Sequence, residues 1–217
     1  MSRKLILVGA AITMAASLVA VSTGTVGASS PLTSVSDTII CKDITGTITF
    51  SPKEDAKGYT NEAVKSTIKA TVSGCTVSGS SAIAVEDGVV TGSLTGTKGT
   101  AKAPAGTCAG LVAKSATETG SLSISWVSIP SGIDPSDLTV ASIAGGTTSK
   151  GYGFFKVPGS VKGTAIGSFR GSNKGASDTS TSQTVEKAST LAKTCETSGL
   201  SSIAITSESG VNAVSLG

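Results

Sequence analysis

The segment from Val64 to Val72 alternates between apolar and polar side chains with a period of two residues. Successive side chains of a β-strand point to opposite sides of its sheet, so this alternation predicts a strand with one buried face. Comparable short runs, separated by turn-forming Gly, Ser, Thr and Pro, occupy 44–50, 88–97, 120–129, 137–144, 151–159, 160–171, 200–207 and 211–217. About nine such strands predict an all-β fold, an antiparallel β-sandwich.

The cysteine content indicates two disulfides. In an extracellular protein four cysteines pair in one of three ways, and here they are Cys41, Cys75, Cys108 and Cys195. A structural zinc site is disfavoured, because the chain has no histidine and no CxxC pair. We therefore expect no metal and no free thiol.

The apolar pattern of two segments favours one of the three pairings. If Cys41 lies opposite Cys75 in an antiparallel pair, the apolar faces of both segments coincide, with Ile44 opposite Val72, Ile48 opposite Ile68 and Phe50 opposite Ser66. A slip of one residue would turn one apolar set to the other face. The register therefore predicts Cys41–Cys75, which leaves Cys108–Cys195.

One segment near the C-terminus departs from strand periodicity. From Ser182 to Thr197, apolar residues fall at helical spacing, Ser180 and Gln183 resemble a capping pair, and Gly199 is a stop signal. The pattern predicts one short helix, with Cys195 tying its end to the sheet.

A Thr-Gly phrase occurs three times, as "TGTITF" at 45–50, "TGSLTG" at 91–96 and "TGSLSI" at 119–124. The intervals are unequal, which excludes a solenoid period. Glycine inside a strand marks a bulge, a bend or the close approach of a neighbouring backbone. We interpret the phrase as a feature of strand construction rather than as a ligand-binding motif.

The first residues resemble a secretory signal. Arg3 and Lys4 precede an apolar run from Leu5 to Val21, and small residues end the region at Ala28. We expect a signal peptide at 1–28, a flexible segment at 29–40 and one domain at 41–217, with no transmembrane segment after cleavage. The expected location is secreted, extracellular or at the cell envelope.

The charge balance argues against nucleic acid as a partner. Residues 29–217 contain 15 Lys and Arg against 14 Asp and Glu, a net charge of +1. Lysines scattered along the chain give no basic patch for a polyanionic duplex or an anionic membrane.

Most catalytic constellations are missing from the sequence. The absence of histidine excludes Ser-His-Asp and Cys-His nucleophiles. Ser66 and Lys69 form an SxxK string, but an odd separation on a strand points the two side chains to opposite sides. No sequence motif for a phosphate-binding loop or a cofactor occurs, so we expect no cofactor and no catalytic residue.

Two weaker possibilities concern loop carboxylates and an aromatic cluster. The acidic residues fall in turn-forming strings, where solvation explains them best, and they are Glu54, Asp55, Glu86, Asp87, Asp134 and Asp137. The alternatives are a weak calcium site built from loop carboxylates and a hydrolase whose site lies in the loops around Glu86, Asp87, Asp134 and Asp137. In "GYGFFKVPG", Tyr152 and Phe155 are candidates for an exposed ligand-binding patch.

Two resemblances bear on the fold. Cys108, Trp126 and Cys195 follow the Cys-Trp-Cys order of immunoglobulin domains. More broadly, "CKDITGTITFSP", "VSGC", "GVVTGSLTG", "CAGL", "GSLSISW", "GSFRG" and "SGLSSIAI" are similar to strings in uncharacterised secreted β-sandwich proteins of actinomycetes. The first resemblance implies a sandwich architecture without antibody-like topology, and the second implies a secreted β-sandwich and brings no activity with it.

The sequence thus predicts a secreted or envelope-associated protein that is not an enzyme and acts by binding an extracellular partner or as a structural component. The alternatives are a lectin-like carbohydrate-binding module and a loop-carboxylate hydrolase.

Overall fold

The computed structural model describes residues 38–79, 83–111, 118–129, 131, 133, 135–140, 146–147, 152–154 and 179–216. Eleven strands and two helices lie in this part of the chain. The strands are β1 Thr38–Glu54, β2 Lys65–Ser78, β3 Ala84–Thr95, β4 Thr119–Ile129, β5 Ser136–Val140, β6 Gly146–Thr147, β7 Tyr152–Phe154, β8 Thr179–Ser180, β9 Ser182–Thr184, β10 Leu200–Thr206 and β11 Val214–Leu216. The helices are α1 Cys108–Leu111 and α2 Ala188–Ser198. The all-β prediction is confirmed, whereas the expected number of about nine strands is not.

The strands form one antiparallel sheet. Its order is β5-β4-β3-β2-β1-β10-β9-β7-β6, and β11 joins it by pairing with both β1 and β8. Chain neighbours β1 to β5 are also sheet neighbours, so this half is a simple meander of long strands.

The predicted register of β1 and β2 is confirmed at every pair that was named. Cys41 lies opposite Cys75 and is bonded to it. The apolar pairs follow in step along the ladder, with Ile44 opposite Val72, Ile48 opposite Ile68 and Phe50 opposite Ser66. Matching of two apolar faces was therefore sufficient to select this disulfide from the sequence.

Strand β1 pairs with two strands on its other edge. Residues 39–41 pair with β11 and residues 45–54 pair with β10. The break between β10 and β11 is filled by Ser207, whose Oγ accepts a hydrogen bond from the Ile44 amide at 2.8 Å and donates to Asp43 Oδ1 at 3.3 Å. A side chain here takes the place of the missing backbone partner.

One apolar core covers one face of the meander. Even-numbered residues of β1 from Ile44 onward are buried or half-buried, and alternate residues of β4, β5 and the 66–72 part of β2 are buried. In β3 a bulge at 85–87 shifts the register against β4 and keeps Val85 on the buried face. Ile39 and Cys41, of the opposite parity, are also buried, so the buried side of β1 changes at the exposed Lys42 and Asp43.

Glycines of β3 and β4 lie opposite large core side chains. The paired residues are Gly88 with Trp126, Gly92 with Leu122, and Gly120 with Leu94. A Cβ at position 92 would lie 2.9 Å from Leu122 Cδ2 and would overlap the Ser121 carbonyl oxygen. Position 120 has the equivalent contacts with Leu94 and Ser93, and Gly46 of β1 meets Ala70 and the Lys69 carbonyl. All three Thr-Gly glycines therefore stand where a neighbouring strand approaches closely.

Substituting Gly92 by alanine should destabilise the protein, because the obstructing atoms belong to backbone that cannot turn aside. We expect a loss of about 1–3 kcal/mol in the free energy of unfolding, measured by urea titration. Gly96→Ala is the matched control, since a Cβ at position 96 has no contact closer than 3.7 Å. Equal stabilities of the two variants would contradict the close approach.

The helix prediction was correct at its end and wrong at its start. Gly199 ends α2 with a φ of 73°, but the helix begins at Ala188, six residues after Ser182. Residues 182–184 instead form β9, which pairs with β7 and β10. Pairing on both edges outweighs the helical spacing of this segment, and Val185 is left exposed.

The second predicted disulfide is also confirmed. Cys108 at the start of α1 is bonded to Cys195 of α2, across 87 residues of chain. The expected signal peptide at 1–28 and the expected strand at 160–171 lie outside the described residues. The expected flexible segment at 29–40 overlaps β1 by three residues, because that strand already begins at Thr38.

Candidate functional site

The outer face of the meander carries a regular array of hydroxyl side chains, which we name the hydroxyl grid. It has three rows that cross β1, β2, β3 and β4 in register. The rows are Thr47-Lys69-Thr91-Ser123, Thr49-Thr67-Ser93-Ser121 and Ser51-Lys65-Thr95-Thr119. Every position is a threonine, a serine or a lysine, and each is exposed or half-buried.

Strand alternation produces this array. The core residues of each strand hold alternate positions, so the residues between them point outward together. Threonine is favoured on such a surface because its branched Cβ suits an extended backbone, and its χ1 is restricted. The grid is therefore a preordered set of donors and acceptors, in which each hydroxyl can do both.

Charge is unevenly distributed on this face. Lys65 and Lys69 are exposed on β2, whereas the far end of the same strand has Ser73 between Asp43 and Asp87 of the two neighbouring strands. The face thus has a cationic end within the grid and an acidic end outside it, and a further carboxylate, Asp137 of β5, lies opposite Ser123 at the side of the grid.

A second site is a pair of carboxyl groups at the end of β1. Glu54 is only 6% exposed, and its carboxyl accepts no hydrogen bond from any described residue. Burial, strengthened by the charges of Glu118 and Asp55, raises the pKa of Glu54 from 4.5 to about 8. An acid in such surroundings holds its proton at neutral pH, because ionisation would place an unsolvated charge beside a second carboxylate.

Glu118, just before β4, is the partner in this pair. It is half-buried, and Ser66 donates its hydroxyl to Glu118 Oε1 at 3.3 Å. Burial raises the pKa of Glu118 as well, and the Ser66 hydrogen bond opposes that rise.

Asp55, the next residue along, has the opposite environment. Its Oδ1 accepts backbone hydrogen bonds from Gly58 at 2.6 Å and Lys57 at 2.8 Å. These bonds, that from Gly58 foremost, lower the pKa of Asp55. Burial, together with the nearby Asp55 carboxylate, raises the pKa of Tyr59, whose hydroxyl donates to the Lys53 carbonyl at 2.8 Å. At neutral pH the adjacent carboxyls of Glu54 and Asp55 are therefore neutral and ionised respectively.

The sequence candidates are distributed differently from these sites. Tyr152 lies in β7 with its side chain outside the described part of the structure, and Phe155 and Asp134 lie outside it altogether. Glu86 and Asp137 are exposed and Asp87 is half-buried. Ser66 is buried and Lys69 exposed, so the SxxK pair is divided between the two faces of β2 as predicted.

Glu54 corrects one expectation. It was assigned to a solvated turn, but β1 continues to Glu54, which has the same parity as Ile48 and Phe50. That parity was the signal that could have placed it on the buried face. The hydroxyl grid was also missed, although Thr45, Thr47 and Thr49 alternate outward in the first Thr-Gly phrase.

Comparison with known proteins yields no assignment: no family model, no curated protein and no solved structure matches the chain. Within the described residues, no group of three or more metal-ligating side chains occurs. None of the described helices has the length and apolar character needed to cross a bilayer.

Proposed function

We propose that the protein is a secreted or envelope-associated, non-enzymatic binding protein whose working surface is the hydroxyl grid. The observation that carries this proposal is the composition of the grid, in which ten hydroxyl residues and two lysines stand in register on one exposed face. Such a face offers many weak polar contacts, and it suits a ligand that is itself rich in hydroxyl groups. Carbohydrate is therefore the favoured class of ligand.

Catalysis is less well supported by the described carboxyl groups. Asp137 lies opposite Ser123 and Asp87 opposite Val127, four residues further along β4. Their backbones are thus separated by roughly 13 Å along that strand, beyond the spacing of about 5–9.5 Å that glycoside hydrolysis requires. Glu54 is shielded from solvent, so a substrate would have no access to it.

The two disulfides are compatible with an extracellular location. We further infer that the sheet folds into a two-layer, immunoglobulin-like sandwich, in keeping with the secreted actinomycete β-sandwich proteins that the sequence resembles. The row of buried apolar residues on the inner face of β1 to β5 supports this inference, because a second layer is the ordinary way to cover such a face.

The test is sedimentation of the oxidised mature protein with insoluble cell-envelope material. We expect the wild-type protein to co-sediment, and the triple variant Thr47→Val, Thr49→Val and Thr91→Val to bind about tenfold or more weakly, since each lost hydrogen bond removes roughly 0.5–1.5 kcal/mol. Thr76→Val, an exposed change on β2 outside the grid, is the matched control. Unchanged binding of the triple variant would show that the hydroxyl grid is not the binding surface.

A further inference from the structure

We propose that the hydroxyl grid binds a linear acidic polysaccharide that lies along β2 between Lys65 and Lys69. This inference rests on the proposed function and specifies the chemistry of its ligand. It goes beyond a general affinity for carbohydrate because it assigns the charge, the shape and the position of the bound chain.

The lysines determine the charge of the ligand. Lys65 and Lys69 extend from the same face of β2, with Thr67 between them, at a separation of roughly 13 Å along the strand. Neither forms an ion pair within the described part of the chain. Their neighbours in the rows are hydroxyls rather than carboxylates, being Thr47, Thr91, Ser51 and Thr95. Two unpaired ammonium groups among neutral donors complement a ligand with repeated carboxylates, and charge-assisted hydrogen bonds are the stronger kind.

The hydroxyl groups determine that the ligand is a polymer. Neighbouring rows are roughly 6.7 Å apart along the strands, and neighbouring strands roughly 4.8 Å apart. One exposed hydrogen bond gains little over the bond to water that it replaces. A monosaccharide would meet only a few grid positions, whereas a chain meets one row after another and gains from multivalency.

Sheet twist determines that the ligand is a single chain rather than a flat surface. Adjacent strands are rotated by roughly 20–25° relative to each other, so the grid turns through roughly 60–75° from β1 to β4. A rigid planar lattice would contact only part of it, but a flexible chain can follow one strand. The grid also has no aromatic residue, so stacking of sugar rings on aromatic faces does not contribute.

The acidic end of the face limits the position of the ligand. Asp43 and Asp87 stand on either side of Ser73, eight residues along β2 from Lys65. They would repel an acidic chain there, so the favourable zone is the part of β2 from Lys65 to Lys69.

The experiment uses polygalacturonate and its fully methyl-esterified form as probes, because the two share a backbone and differ only in charge. Binding of the oxidised mature protein is measured by affinity electrophoresis or light scattering. We expect polygalacturonate to bind, and to bind more weakly in high salt. The double variant Lys65→Gln and Lys69→Gln should lose about tenfold or more in affinity. The matched control is Lys98→Gln with Lys102→Gln, which removes two exposed lysines outside the grid.

The outcomes separate this inference from the proposed function. Equal binding of the charged and esterified probes, or equal losses in the two double variants, would overturn the acidic assignment. Sedimentation with envelope material without affinity for polygalacturonate would also overturn it and would leave the proposed function intact. A third outcome is that wild-type protein, with a fold shown to be intact by circular dichroism and thiol titration, binds neither envelope material nor polygalacturonate. That result would refute both the acidic assignment and the proposed function.

Discussion

Replacing Glu54 by glutamine should make the protein more stable than wild type at pH 9 and less stable at pH 4. Glu54 is buried and has no hydrogen-bond partner among the described residues, and burial beside Glu118 raises its pKa from 4.5 to about 8. Below pH 4.5 the carboxyl is protonated in both the folded and the unfolded chain, so it does not change the stability. As the pH rises from 4.5 to 8, only the unfolded chain ionises, and the folded state loses stability.

The size of this loss follows from the two pKa values. A difference between 4.5 and about 8 corresponds to about 5 kcal/mol at most, all of it lost by the time the pH exceeds 8. Glutamine cannot ionise and so removes this dependence. Its amide leaves buried donors unpaired, at a cost of about 1–3 kcal/mol that is the same at every pH. We therefore expect a net gain of about 2–4 kcal/mol at pH 9 and a net loss of about 1–3 kcal/mol at pH 4.

The measurement is urea unfolding of both proteins from pH 4 to pH 9, with the disulfides intact. Glu62→Gln, an exposed change in the turn that follows β1, is the matched control and should follow the wild-type curve. Glu118→Gln should shift stability in the same direction as Glu54→Gln, because it removes the neighbouring charge. Parallel pH profiles of wild type and Glu54→Gln would show that the carboxyl is not buried as described.

The part of the fold that depends on alternation could be predicted from the sequence. The partners of Ile44, Ile48 and Phe50 followed from matching two apolar faces, because a sheet with one buried side specifies its register. The pairing of Cys41 with Cys75 followed from the same register, and Cys108–Cys195 followed by elimination.

The start of α2 could not be predicted in the same way. Segment 182–184 is polar, and its strand state depends on edges supplied by β7 and β10, which are distant in sequence. Tertiary pairing decides the structure of such a short segment, whereas local spacing decides the helix that follows it.

Neither the hydroxyl grid nor the carboxyl pair of Glu54 and Glu118 contains an unusual residue type, so no sequence motif indicates either site. The grid consists of ordinary strand threonines and serines, and it becomes visible only when four registers are placed side by side. The burial of Glu54 was not predicted, because its neighbours Pro52, Lys53 and Asp55 are typical of a turn. The two-residue period from Phe50 indicates the buried face, but only if β1 is known to continue past Pro52.

Removing the Cys108–Cys195 disulfide should destabilise the protein more than removing Cys41–Cys75, and should act selectively on α2. In the chain-entropy model, the sequence separations of 87 and 34 residues correspond to about 4.6 and about 3.8 kcal/mol. The effects of the two disulfides on the folded protein differ more than these two values do. Cys41 and Cys75 lie within a continuous ladder that holds β1 and β2 together without the bond.

The attachments of α2 to other described residues include its buried Leu191 and Cys195, the partly buried Ala188, and a hydrogen bond of 2.7 Å from Lys53 Nζ to the Ser198 carbonyl. We expect the double variant Cys108→Ala and Cys195→Ala to show accelerated amide exchange in α2 while β1 and β2 stay protected. Cys41→Ala with Cys75→Ala is the matched control and should lose global stability without this local effect. If both double variants left α2 equally protected, the packing of Leu191 and the Lys53 hydrogen bond would be sufficient to hold the helix, and the disulfide would act only on the unfolded chain.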